Sequence, residues 1–156
     1  MEPEQLMQMA IAAARRGVNS GQSPFGCGIS RADQLLAVQH NTVWSTTDIT
    51  AHAEVNALRA ACQKTGEILL SGSIAATTCE PCPMCMSALH WARVDTVYYG
   101  ASIADAEQAG FNELNVTSQQ MVTIGGSAVR LVPGLLAAEC RQLFAEWLAS
   151  SDHRAY

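Results

Sequence analysis

Segments of helical period alternate with short apolar runs along this chain, which predicts an α/β fold with a sheet covered by helices. Two neighbouring runs near the N-terminus read as a hairpin, so the sheet should be mixed, not wholly parallel. The chain has 156 residues, 49% of them apolar and 15% charged, which suits one domain over 1–156 with a real core.

The elements follow in order. From Pro3 to Asn19, Leu6, Met9, Ala10, Ala13 and Ala14 recur at helical spacing, and Gly17 with Asn19-Ser20-Gly21 ends the run. Phe25 to Ser30 and Leu35 to His40 form the hairpin around Arg31-Ala32-Asp33-Gln34. A polar loop from Asn41 to Thr50 leads into a helix over Ala51 to Lys64, with Val55, Leu58 and Ala61 on one face and Gly66 beyond its end. Ser73 to Thr78 reads as a buried strand and Pro83 to Arg93 as a helix, with Pro83 suited to a first helical position. Asp95 to Gly100 is the next strand, and Ile103 to Ala109 a short helix. Phe111 to Gln120 carries no clear period, Gly125-Gly126 marks a turn, Ala128 to Val132 is the last strand, and Leu135 to Ser150 a final amphipathic helix. There are no internal repeats or low-complexity tracts.

The formal net charge is −5, and the nine Lys and Arg are scattered apart from Arg15-Arg16. A polynucleotide-binding chain usually carries a basic stripe, so no nucleic-acid partner is expected. No apolar run reaches the ~20 residues of a membrane span, so no membrane partner is expected either. The start Met1-Glu2-Pro3-Glu4-Gln5 is acidic where a signal peptide would be basic, which points to the cytoplasm.

Of six cysteines, Cys27, Cys62 and Cys140 lie in apolar stretches and read as small core residues. Chemistry concentrates in His52-Ala53-Glu54 and Pro81-Cys82-Pro83-Met84-Cys85, each at a predicted helix start. Unpaired N–H groups and the helix dipole favour a thiolate there, and Cys82 and Cys85 can point at one ion from a single turn. With His52 they make a set suited to Zn²⁺ that leaves its fourth position for water. Zinc lowers the pKa of bound water to about 7. Glu54 is placed to move that proton rather than to bind the metal. Taken singly, His52 could be a cap, and the C-x-x-C a redox pair or half of a structural zinc site. Cys79, Cys82 and Cys85 also open some iron–sulfur patterns, though the next cysteine is Cys140.

The pattern H-x-E…P-C-x-x-C is the mark of zinc nucleobase deaminases, and the chain resembles the cytidine and deoxycytidylate deaminase superfamily from about Ser23 to Glu113. The resemblance implies a three-layer α/β/α fold, with a five-stranded mixed sheet between helices and zinc held at two helix N-termini. His52, Cys82 and Cys85 match the metal ligands and Glu54 the proton shuttle.

Ser23-Pro24-Phe25-Gly26, Glu80-Pro81-Cys82-Pro83-Met84-Cys85, His90-Trp91-Ala92-Arg93 and Ala109-Gly110-Phe111-Asn112-Glu113 resemble the bacterial-type guanine deaminases. That branch implies conversion of guanine, or a related aminopurine or aminotriazine, by a homodimer. Phe25 and Trp91 would wall the base, Asn41 would bond to the ring, and Glu113 would read its N–H edge or assist proton transfer. Tyr156 would close the site, in that branch from a segment exchanged between subunits. Core packing competes for Phe25 and Trp91, an Asx turn for Asn41, a solvated acid for Glu113 and a frayed tail for Tyr156. The branch often carries two aspartates where this chain has Asn112-Glu113, and Leu135 to Leu148 is closer to the last helix of tRNA adenosine deaminases. That activity, cytosine deamination and a non-catalytic zinc module are the alternatives. A small heterocycle is the expected partner.

Overall fold

Pro3 opens the first helix, α1 (Pro3–Asn19), where its missing N–H is one of those a helix leaves unpaired. Leu6, Met7, Ala10, Ala13 and Ala14 form its buried face. That face lies against β1 (Gly26–Arg31), which turns into β2 (Gln34–His40) as an antiparallel hairpin with a bulge between Ile29 and Ser30. The computed structural model describes residues 1–156. After one turn of helix, α2 (Val43–Thr46), the chain continues through α3 (Ala53–Thr65), β3 (Ser73–Cys79), α4 (Pro83–Trp91), β4 (Thr96–Ala101) and α5 (Ile103–Gln108). It ends in α6 (Ser118–Gly125), β5 (Arg130–Pro133) and α7 (Ala137–Leu148).

The strand order is β2-β1-β3-β4-β5, with β1 antiparallel to both neighbours and β3, β4 and β5 parallel. The sheet is therefore mixed and five-stranded, as expected. Alternation along the strands sends Cys27, Ile29, Ala75 and Val97 to a core shared with α3 and α4. Ala76 and Tyr98, one residue out of step, face a second core shared with α1 and α7, which Cys79 and Ala101 join where their strands end. Helices on both faces give the three-layer α/β/α arrangement. No helix is long and apolar enough to cross a membrane.

Two expectations need correction. The loop from Asn41 to Thr50 contains α2, and the unassigned stretch ending at Gln120 contains the start of α6. Thr117 and Gln120 cap α6 reciprocally, so a local capping box, not an apolar stripe, starts this helix.

Two glycines set the layer spacing. A methyl group at Gly26 would overlap the Ala10 carbonyl, and one at Gly100 would overlap the Cys140 sulfur. The obstacle at Gly26 is backbone, which has no rotamer to yield. Gly26→Ala should therefore lower stability by about 2–3 kcal/mol, read as a lower urea midpoint. An unchanged midpoint would show that α1 does not rest directly on β1.

Candidate active site

In an open α/β sheet the crevice for ligands lies beyond the carboxyl ends of the parallel strands. Here β3 ends at Cys79, and the chain passes through Glu80 and Pro81 to Cys82, the N-cap of α4. His52 is the N-cap of α3. Both caps have extended backbone, at φ −67°, ψ 158° for His52 and φ −62°, ψ 165° for Cys82, and neither side chain caps its own helix. Their polar atoms turn instead to a shared point. His52 Nδ1 lies 3.6 Å from Cys82 Sγ and 3.6 Å from Cys85 Sγ, and the three ligand atoms lie within 4.8 Å of one another.

These residues fit zinc. One imidazole nitrogen and two sulfurs are its common donors, and ordinary Zn–N and Zn–S lengths give tetrahedral N···S edges of about 3.6 Å. The cluster contains no fourth His, Cys, Asp or Glu. Cys79 stands apart, with its thiol donating to the Ser102 carbonyl at 3.4 Å. Cys85 donates to Cys82 and lowers the Cys82 thiol to about 4, with His52 assisting. That same bond, with burial, holds the Cys85 proton well above its ordinary range. For His52, burial opposes protonation but the Cys82 thiolate and Glu54 outweigh it, and its pKa is raised.

Glu54, in the first turn of α3, is 6% exposed. Thr77 Oγ1 donates to its Oε1 at 3.1 Å, and burial raises its pKa. Phe25, His52, Glu54, Cys79, Glu80, Cys82, Glu113 and Tyr156 enclose a space of about 20 Å³, the size of one water. Outside it, a cavity of about 320 Å³ is walled by apolar Ile49, Met84, Phe111 and Leu114, with Asn112 and Glu113 on one side. Neither cavity is lined by a Lys or Arg.

The structure gathers most of the sequence-selected residues here. Phe25 lines the inner space and meets Phe111 edge-on at 4.9 Å. Asn41 is fully buried, lines neither cavity, and so is not placed to bond to a ring there; it does two other things at once. Its Oδ1 accepts from the Val43 N–H at 3.1 Å, an Asx turn, while its Nδ2 donates to the Tyr156 hydroxyl at 2.7 Å. The Tyr156 ring stands 5.5 Å from the His52 ring and 5.4 Å from Phe111. The tail bearing it folds onto its own chain, where the Trp44 indole donates to the Arg154 carbonyl at 3.2 Å and the Arg154 guanidinium lies 3.9 Å over the Trp44 ring. Tyr156 is thus ordered against the site, not frayed from it.

Trp91 is the exception. It sits at the last turn of α4, about 12 Å along the axis from Pro83, is 71% exposed, and lines a separate groove with Met86, His90 and Met121. Within one chain it does not wall this cavity, because α4 carries its C-terminal end away from the cluster. The residues that sequence reasoning passed over are Phe111 as a wall, Thr77 beneath Glu54, and Trp44 under the tail. Thr77 left no distinguishing signal, since Ser73 and Thr78 bring hydroxyls to the same strand.

Burial, followed by the nearby Cys82 sulfur, raises Glu113 from an ordinary 4.5 to about 7 in the metal-free chain. Between these values the folded chain holds a proton that the unfolded chain lacks, so stability falls as pH rises through the window. Metal-free Glu113→Gln should therefore be more stable than the parent at about pH 8 and lose that advantage near pH 4.5. Denaturation midpoints at both pH values check this, and an equal difference at both would contradict the described setting of Glu113.

Residues 1–101 match the cytidine and deoxycytidylate deaminase zinc-binding region. Guanine deaminase of Bacillus subtilis (strain 168) is 43% identical over 114 residues, 72% of this chain and 73% of that protein. A tRNA-specific adenosine deaminase of Streptococcus pyogenes serotype M18 is 28% identical over 153 residues, 98% of this chain and 94% of that one. The solved structure of guanine deaminase from Nitrosomonas europaea superposes with a TM-score of 0.87 at 27% identity, over 96% of this chain and 86% of the other.

Proposed function

The chain belongs to the cytidine and deoxycytidylate deaminase family, a zinc-binding family, and from that premise we propose that it hydrolyses guanine to xanthine and ammonia. The observation that carries this reading is a water-sized space beside Glu54 and the donor cluster, next to a largely apolar cavity lined by no Lys or Arg.

In this proposal His52, Cys82 and Cys85 hold the ion, as their 3.6 Å spacings favour. When bound, the ion supplies the acidity that makes water a nucleophile near neutral pH. Glu54 takes one proton of that water and delivers it to ring nitrogen N3 as oxygen adds to C2; it then carries the remaining hydroxyl proton to the amine, and the C2–N bond breaks to release ammonia as the C2=O bond forms. Thr77 occupies Oε1, which leaves Oε2 for this transfer. The raised pKa of the buried carboxyl suits a group that both accepts and returns a proton.

Phe25 and Phe111 offer the apolar faces that a flat base needs, Glu113 offers polar atoms for its edge, and Asn41 acts from behind by holding the Tyr156 hydroxyl. Tyr156 closes the site over them. A phosphate-rich RNA would call for cations that the lining lacks. The near full-length alignment with a tRNA-specific adenosine deaminase keeps tRNA adenosine as the second reading. A cytoplasmic homodimer of this single domain belongs to the proposal on resemblance.

The test is ammonia release by the zinc-loaded protein from guanine, guanosine, adenine, cytosine, ammeline and an adenosine-containing anticodon stem. Guanine should turn over best. Glu54→Gln should keep zinc and fold but lose about 10²-fold or more in kcat, and removal of residues 152–156 should depress turnover. Reaction of the RNA alone would replace the substrate assignment, and full activity without the tail would remove Tyr156 from the site.

A further inference from the structure

The mechanism above leaves one buried acid without a task. Glu80 lies between the end of β3 and Cys82, is 8% exposed, and is no member of the His52–Cys82–Cys85 cluster; it borders the inner space, but both carboxylate oxygens are taken by backbone N–H groups outside it. Its Oε1 accepts from the Ser118 N–H at 2.8 Å, and its Oε2 accepts from the Ile103 N–H at 3.2 Å. Ile103 and Ser118 are the first residues of α5 and α6, whose leading N–H groups find no partner within the helix. The capping boxes of these helices serve the third residue and the cap itself, so Glu80 meets the donors that they leave over.

Other bonds complete the knot. The Glu80 N–H donates to the Ala101 carbonyl at 2.8 Å, and the Ser118 hydroxyl donates to the Pro81 carbonyl at 2.7 Å. One side chain therefore ties down both ends of the segment 103–118, at a point two residues before Cys82. The middle of that segment carries Phe111 and Glu113 into the cavity. A buried carboxyl is a demanding choice for a strand-to-helix connection unless its acceptors are needed.

We propose that Glu80 is a positioning residue that fixes the wall of Phe111 and Glu113 at its distance from the donor cluster, and so sets substrate affinity. This rests on the reading that the wall faces the substrate. Losing a shared anchor should loosen the wall while leaving the proton-transfer groups in place. The effect should therefore fall on KM and not on kcat.

Glu80→Gln tests this, because it keeps the shape but replaces one acceptor oxygen with an amide that cannot accept. Three readouts are taken: zinc content, amide hydrogen exchange of residues 103–118, and KM with kcat on whichever compound of the panel the parent turns over best. Zinc content and kcat should stay within about twofold, KM should rise about tenfold, and exchange should quicken in 103–118 but not in α1. Ser118→Ala, which removes only the hydroxyl tie to Pro81, should move KM and exchange in the same direction by less, and it serves if the first variant does not fold. Unchanged exchange, unchanged KM, or a fall in kcat at constant KM would each overturn the assignment. A parent that prefers another compound would displace guanine but leave the Glu80 test intact. If no compound reacts, the dissociation constant of guanine replaces KM, and an equal value in parent and Glu80→Gln overturns the assignment.

Discussion

Two helix starts face one another, and their cap residues give up the usual capping bond. A side chain at this position typically accepts from the second or third N–H of its helix, a bond worth about 1 kcal/mol. His52 and Cys82 make no such bond and meet each other at 3.6 Å, with Cys85 completing the group. Everything near the site follows from that meeting. The pairing of β1 with β3 and the packing of α3 and α4 on one sheet face bring the two starts together. The first turn of α3 then places Glu54 beside the group, where it accepts from the hydroxyl of Thr77. Electrostatics there are set by close, buried neighbours. A shared bond lowers the Cys82 thiol and raises the Cys85 thiol, and burial raises both nearby acids, Glu54 and Glu113.

The second layer of the site is organised by hydrogen bonds that cross between distant parts of the chain. Asn41, at the end of the hairpin, reaches Tyr156, and the Asn112 N–H donates to the Tyr156 carbonyl at 3.3 Å. Trp44 holds the tail from one side, while Phe111 stacks on Trp147 of α7 at 4.9 Å and meets Tyr156 edge-on. A small inner space and a larger apolar chamber result, separated by a tyrosine ring that stands on three separate elements. Such a wall suits a flat, uncharged ring.

Much of this was legible in the sequence because it is written in local patterns. Helical period gave α1, α3 and α7, alternation gave the hairpin, and two short strings gave the cluster with Glu54 beside it. The boundaries of α4 and β4 shifted by a residue or two, as fraying ends do. What escaped depends on long-range geometry. Nothing local to Trp91 says that α4 points its last turn away from the cavity, and nothing local to Thr77 says that Glu54 lies above it. The helix α6 is the instructive miss. Its polar run hides the apolar period, yet Thr117 and Gln120 stand at capping-box spacing, so the signal was present in the chain.

The proposed metal centre has three protein donors, His52, Cys82 and Cys85, which would leave one zinc position for water. X-ray absorption at the zinc edge of the loaded protein tests that most directly, with Cys79→Ser measured beside the parent. The expected result is two sulfurs, one imidazole nitrogen and one light atom not supplied by the protein, the same in both chains. Four protein donors, or a third sulfur that disappears with Cys79, would mean a closed structural site and would contradict the account.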